Sequence, residues 1–187
     1  MIEQTALSTL TNWQNFYVIV GSSAGALTGL QFVTMTLLAE APGSDMHGVR
    51  GFGSPTVVHF CMALLISALA SCPWHTLFAL ALALGCCGIA GLAYLSTAIR
   101  HARQHTGYHP DWEDWMWYGW LPLMAYAALA LAGFLLMRNP TFGLFFVAAV
   151  SLALLFIGIH NSWDLVTYIA VTLPGMPNQK DGGVRET

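Results

Sequence analysis

The run Thr141-Phe142-Gly143-Leu144-Phe145-Phe146-Val147-Ala148-Ala149-Val150-Ser151-Leu152-Ala153-Leu154-Leu155-Phe156-Ile157-Gly158-Ile159 is almost wholly apolar. It is followed by His160-Asn161-Ser162-Trp163-Asp164, and Leu165 to Val171 then turns apolar again. At ~1.5 Å of helix rise per residue, residues 141–171 exceed the ~30 Å of a bilayer's hydrocarbon core. Asp164 is the acidic side chain set inside such a run. A carboxylate at the bilayer centre costs about 2.5–3.5 kcal/mol and less near the interface, so it calls for a partner.

The rest of the chain reads the same way. Of 187 residues 56% are hydrophobic and 8% charged, against about a quarter charged in ordinary soluble domains. This composition implies a membrane protein. The net charge of −3 comes with no basic block, which excludes a nucleic-acid footprint. Cys61, Cys86 and Cys87 lie in apolar runs and Cys72 near a segment end, so they read as small packing residues and not as a metal or disulfide framework. Residues 1–15 carry no Lys or Arg, and the apolar run after them is longer than a signal peptide's, so the first helix is expected to be retained.

The fold expected is all-α, one membrane domain of five transmembrane helices over residues 16–38, 55–74, 75–99, 114–137 and 141–171, with a flexible tail at 174–187. In the first span Gly21, Gly25 and Gly29 recur at every fourth residue, a stripe that lets a neighbouring backbone approach closely. Another span of the same chain is the favoured neighbour, and a second subunit the alternative. Residues 39–54 hold Pro42, Gly43, Gly48, Gly51 and Gly53 and read as a loop. Pro55 opens the second span. Spans two and three follow so closely that a tight helical hairpin is expected, and Ala81, Gly85, Gly88 and Gly91 of span three suggest close packing.

Five crossings put the termini on opposite sides. Arg50, Arg100, Arg103, Lys180 and Arg185 fall on the carboxy-terminal side and Arg138 on the other, which places the amino terminus outside and the carboxy terminus in the cytoplasm. In that orientation polar residues from all five spans share the cytoplasmic leaflet, while the outer half is dominated by Ala and Leu. The candidate site comprises His59, His160, Asn161 and Asp164, with Gln31 peripheral. His160, Asp164 and Tyr168 share one helix face at i, i+4 and i+8.

Several readings compete for that site. Its groups would satisfy one another and hold the helices in register, at about 0.6 kcal/mol per interhelical bond. They would form a permeation or proton path, which the featureless outer half argues against. Or His59 and His160 would be ligands of a haem or, with Asp164, of a non-haem iron or other metal ion. Between spans three and four, His101, His105 and His109 with Asp111, Glu113 and Asp114 are acceptable zinc ligands. Their spacing does not match the zincin pattern, and a solvated loop accounts for them better. Trp112, Trp115, Trp117, Tyr118 and Trp120 read as an interfacial belt before they read as a quinone or lipid pocket.

The strings Phe16-Tyr17-Val18-Ile19-Val20-Gly21, Leu30-Gln31-Phe32-Val33 and Gly158 to Asp164 resemble segments of uncharacterised bacterial multi-pass membrane proteins. That resemblance implies no activity. No nucleotide-binding loop, serine-triad signature or rhomboid-type pattern occurs. The expectation is therefore a multi-pass protein of a bacterial inner membrane, non-enzymatic, acting as a packing, partner-binding or transport component without a cofactor. Its partners would be the lipid bilayer and a membrane partner or further copies of itself. The alternative is a membrane-embedded redox or metal protein.

Overall fold

The computed structural model describes residues 10–40, 46–105 and 112–172, and these are helical apart from short connections. Five helices follow in order: α1 (Gln14–Glu40), α2 (Met46–Ser71), α3 (Leu77–His105), α4 (Trp112–Arg138) and α5 (Pro140–Thr172). Four of them, α1, α3, α4 and α5, are long and apolar enough to cross a membrane. In α2 the apolar stretch is the shorter Pro55–Ser71.

Local chemistry explains where the helices stop. Between α4 and α5, Asn139 is extended and its Oδ1 accepts from the Phe142 amide at 3.2 Å, an N-cap, while Pro140 takes the first-turn position that needs no N–H donor. Between α2 and α3 the Trp74 indole donates to the Leu69 carbonyl at 2.6 Å, holding the connection against the end of α2. The expected loop at 39–54 is helical over much of its length, since α1 runs to Glu40 and α2 starts at Met46. Gly48, Gly51 and Gly53 thus lie within α2, where each costs only about 1 kcal/mol relative to Ala, and Pro55 sits inside the helix instead of opening it.

Although last in sequence, α5 is central. It packs against α2 and α4, α1 packs chiefly on α2, and α3 packs chiefly on α4. In the membrane-length window of α5, 56% of residues are buried, against 28% in that of α1. The expected hairpin of spans two and three is therefore close in sequence but loose in space, because α3 finds its main neighbour in α4.

Side-chain pairs fix the directions. Trp13 meets Phe145 with ring centroids 4.6 Å apart, and seventeen residues further along α5 Ser162 meets Gln31, so α1 and α5 run parallel. Gly143 faces Leu136 and Tyr118 reaches Asn161, so α4 runs against α5. Gly21, early in α1, faces Ser67, while Gly158, late in α5, faces the earlier Phe60, so α2 runs against both α1 and α5. Gly88 faces Ala130 and Gly91 faces Tyr126, so α3 runs against α4. Direction thus reverses at every connection.

Close backbone approach occurs where α4 meets α3 and α5. A Cβ on Gly133 would lie 2.6 Å from the Ala81 carbonyl oxygen, and one on Gly143 would lie 2.6 Å from the Leu136 Cα. The Gly21, Gly25, Gly29 stripe behaves differently from expectation. Gly21 faces Ser67 at 3.0 Å, but a Cβ on Gly25 or Gly29 would meet no atom within 4 Å. Four-residue spacing drifts around a helix of 3.6 residues per turn, and the contact with α2 is already lost at the second glycine. The cysteines also differ from expectation, since Cys61, Cys72 and Cys86 are exposed on the outer surface.

That outer surface is as apolar as the core. Ile19, Phe78, Ile89, Met124, Phe145 and Phe156 are each at least 60% exposed, a contiguous greasy exterior of the kind that water does not tolerate and lipid does.

Candidate functional site

The register of α2 on α5 sets the level of the site. Phe60 packs where a side chain at Gly158 would be. His59 is one residue from that contact along α2 and Asn161 three residues along α5. Because the helices are antiparallel, both offsets run towards the same end of the bundle, about 1.5 and 4.5 Å respectively. Gln31 joins the level through Ser162, whose hydroxyl donates to Gln31 Oε1 at 2.9 Å. Tyr118 joins it by donating to the Asn161 carbonyl at 3.3 Å.

His59 is fully buried. Its Nδ1 is 2.8 Å from the hydroxyl of Tyr126, which is itself fully buried on α4. The proton sits on either partner, depending on tautomer. If Tyr126 donates, Nε2 carries the other proton and is a donor. If Nδ1 donates, Nε2 is an acceptor. Either way Nε2 is buried without a hydrogen-bond partner.

Asn161 is fully buried too, and neither its amide nitrogen nor its amide oxygen has a partner. Gln31 Nε2 is likewise unpartnered. The Tyr17 hydroxyl, nearer the other end of the bundle, is a further buried atom without a hydrogen-bond partner. Ser67 and Ser151 donate to carbonyls of their own helices, which satisfies them without a tertiary partner.

No family model, curated protein or solved structure matches this chain.

His160 and Asp164, expected in the same constellation, stand apart from the enclosed atoms. Residue 160 precedes Asn161 by about 100° of helix, which turns it from the enclosed side of α5 to its flank. There the imidazole lies flat on Trp117, with centroids 3.7 Å apart and planes 7° apart. Its Nδ1 is 3.1 Å from Asp164 Oδ2, with the two side chains 27% and 43% exposed. Glu113 and Asp114 of α4 act on Asp164 as like charges. This is an acidic, part-exposed patch in which His160 Nδ1 itself is buried, chemically unlike the enclosed site.

The division bears on metal chemistry. His59 and His160 have separate partners, and among the described residues no group of three or more His, Cys, Asp and Glu side chains is placed to hold a metal ion. The facial set of His59, His160 and Asp164 is therefore not assembled. In the zinc reading, His101 and His105 lie in the last turns of α3 with side chains outside the description, and His109 and Asp111 lie outside the described residues, as do Tyr168's side chain and the tail at 174–187.

Two features were not anticipated from the sequence. Tyr126 lies in an Ala- and Leu-rich stretch that marks no site, although it follows Tyr118 by eight residues and so by about two turns. Met116–Trp120 is π-helical, a wide turn that recurs at functional sites. From it Trp117 covers His160 while Tyr118 reaches Asn161.

Proposed function

We propose that this protein is a non-enzymatic component of a bacterial inner membrane, crossing five times with its amino terminus outside, and that it binds a small polar species at a blind intramembrane site in the cytoplasmic leaflet. The members of that site are His59, Asn161 and Gln31, with Tyr126 and Tyr118 as supports. The observation that carries this reading is the Asn161 amide, fully buried with both polar atoms unpartnered.

A residue kept only to hold helices in register finds partners, since each orphaned buried group costs about 1–3 kcal/mol. Asn161 does not, yet Tyr118 and Ser162 beside it do. A protein partner is a poorer explanation, because the free atoms face the interior of a single chain. The species must be small, hydrogen-bonding in both senses and able to enter from the polar end. A through path is disfavoured, since the described residues of the other half of the bundle offer buried Leu, Val and Ala, serines already bonded to their own helices and one unpartnered hydroxyl, that of Tyr17.

Asn161→Leu separates the readings. If the amide is kept for binding, the substitution removes two unsatisfied atoms at nearly constant volume. The detergent-purified variant then melts about 2–4 °C higher, the shift expected for on the order of 1 kcal/mol. A lower melting temperature means that Asn161 is structural. Proton flux into liposomes, followed with an internal pH dye, tests permeation: a blind site gives background flux in wild type and Asp164→Asn alike. Flux above background that Asp164→Asn abolishes would replace this reading with a conducting one.

A further inference from the structure

Away from the polar site, a groove of about 180 Å³ opens sideways between α3 and α4, walled by Phe78, Leu82, Ile89, Phe134 and Met137 and floored by Gly85 against Gly133. From Phe78 to Ile89 it follows α3 for about 16 Å. Its wall residue Phe134 also holds Arg138, whose guanidinium carbon is 5.2 Å from the ring centroid. Because α3 and α4 are antiparallel, with Gly133 beside Ala81, Arg138 stands level with the start of α3, at the mouth of the groove and at the end of the bundle. Arg138 is exposed, and among the described residues no carboxylate pairs with it.

We propose that this groove is a specific site for an anionic phospholipid, with one acyl chain along α3 and α4 and the headgroup on Arg138. The apolar walls alone would not select it. Lipid already surrounds them, so the chain gains only dispersion contact by entering. Selection comes from the cation fixed at the mouth, and a basic group between spans at the interface is what anionic headgroups recognise. The inward packing of Gly133 keeps the groove deep, and Gly85 keeps it empty. A Cβ on Gly85 would meet no atom within 4 Å, so a larger side chain there enters the groove without disturbing the helix contact.

The test is lipid retention. Wild type is reconstituted with equimolar phosphatidylglycerol and phosphatidylcholine, extracted in mild detergent and weighed by native mass spectrometry. One lipid should remain bound, with phosphatidylglycerol enriched about five-fold, the factor that a single interfacial charge supplies. Arg138→Gln, on the surface, should keep one bound lipid and lose the enrichment. Gly85→Leu should lose the lipid with an unchanged melting curve. Equal retention in wild type and Gly85→Leu, or an undiminished preference in Arg138→Gln, would overturn the proposal. So would a wild-type dimer that Gly85→Leu disperses, since a second copy would then occupy the groove.

Discussion

Tyr126 does two jobs with one side chain: its ring occupies the space that a side chain at Gly91 would need, and its hydroxyl is the hydrogen-bond partner of His59. Removing the hydroxyl strands a buried imidazole nitrogen. Tyr126→Phe is therefore expected to destabilise the protein by about 1–3 kcal/mol. In a double-mutant cycle with His59→Leu the penalty should shrink, because the second substitution removes the stranded group. Additive losses would mean that the 2.8 Å contact contributes nothing. The same logic with the opposite sign applies to Asn161, where the polar atoms are already stranded and loss of the amide relieves the interior. On the flank, Trp117 is half-buried and packed against the core, so Trp117→Leu should cost about 1–3 kcal/mol. It should also increase the reactivity of His160 with an imidazole-modifying reagent, since the indole covers one ring face. Unchanged reactivity would mean that the stack does not persist.

At the level of helices, small residues must be judged by what faces them. Gly133→Ala forces a methyl group towards a carbonyl oxygen 2.6 Å away on α3, so α3 and α4 must separate, at a cost of about 1–3 kcal/mol or more. Gly25→Leu meets open space and should assemble as wild type, the reverse of what the four-residue stripe suggests. Thermal melts of the two variants check both statements. This contrast shows what sequence alone conveys. Helix existence was legible, because a long apolar run admits one structure in lipid; the start of α2 was not, since its glycine-rich first turns read as a loop. Counting residues along antiparallel spans also leads to Gln31, His59 and Asn161, near which the Ser162–Gln31 bond and the Phe60–Gly158 contact lie. Which helix neighbours which was not legible, because lipid-facing and core-facing sides are equally apolar and no amphipathic stripe marks the interface. The split between Asn161 and His160 was hidden for a related reason: adjacent residues in a polar cluster look alike in a string, and only packing decides which is enclosed. The π turn at Met116–Trp120 carries no composition cue at all.

For the molecule as a whole, the reversal of direction at each connection means that the start of α1 and the end of α5 lie at opposite ends of the bundle. Single cysteines placed near residues 12 and 172, in a background lacking the four native ones, should react with a membrane-impermeant maleimide from opposite sides. Labelling from one side would leave α2 as a half-crossing element and remove the five-crossing reading. The open arrangement, with α1 and α3 each attached chiefly to one neighbour, also predicts that these outer helices exchange backbone hydrogens sooner than α5.

The central position of α5 has a bearing on biogenesis. The ribosome delivers it after everything that surrounds it, so α2 and α4 reach the bilayer without the wall they are shaped to meet. Until α5 emerges, the nascent chain exposes Phe60 and Tyr118 to whatever escorts it. A transcript truncated at Arg138 should yield a product that inserts yet is cleared by quality-control proteases, and co-expression of residues 139–187 as a separate polypeptide should rescue it.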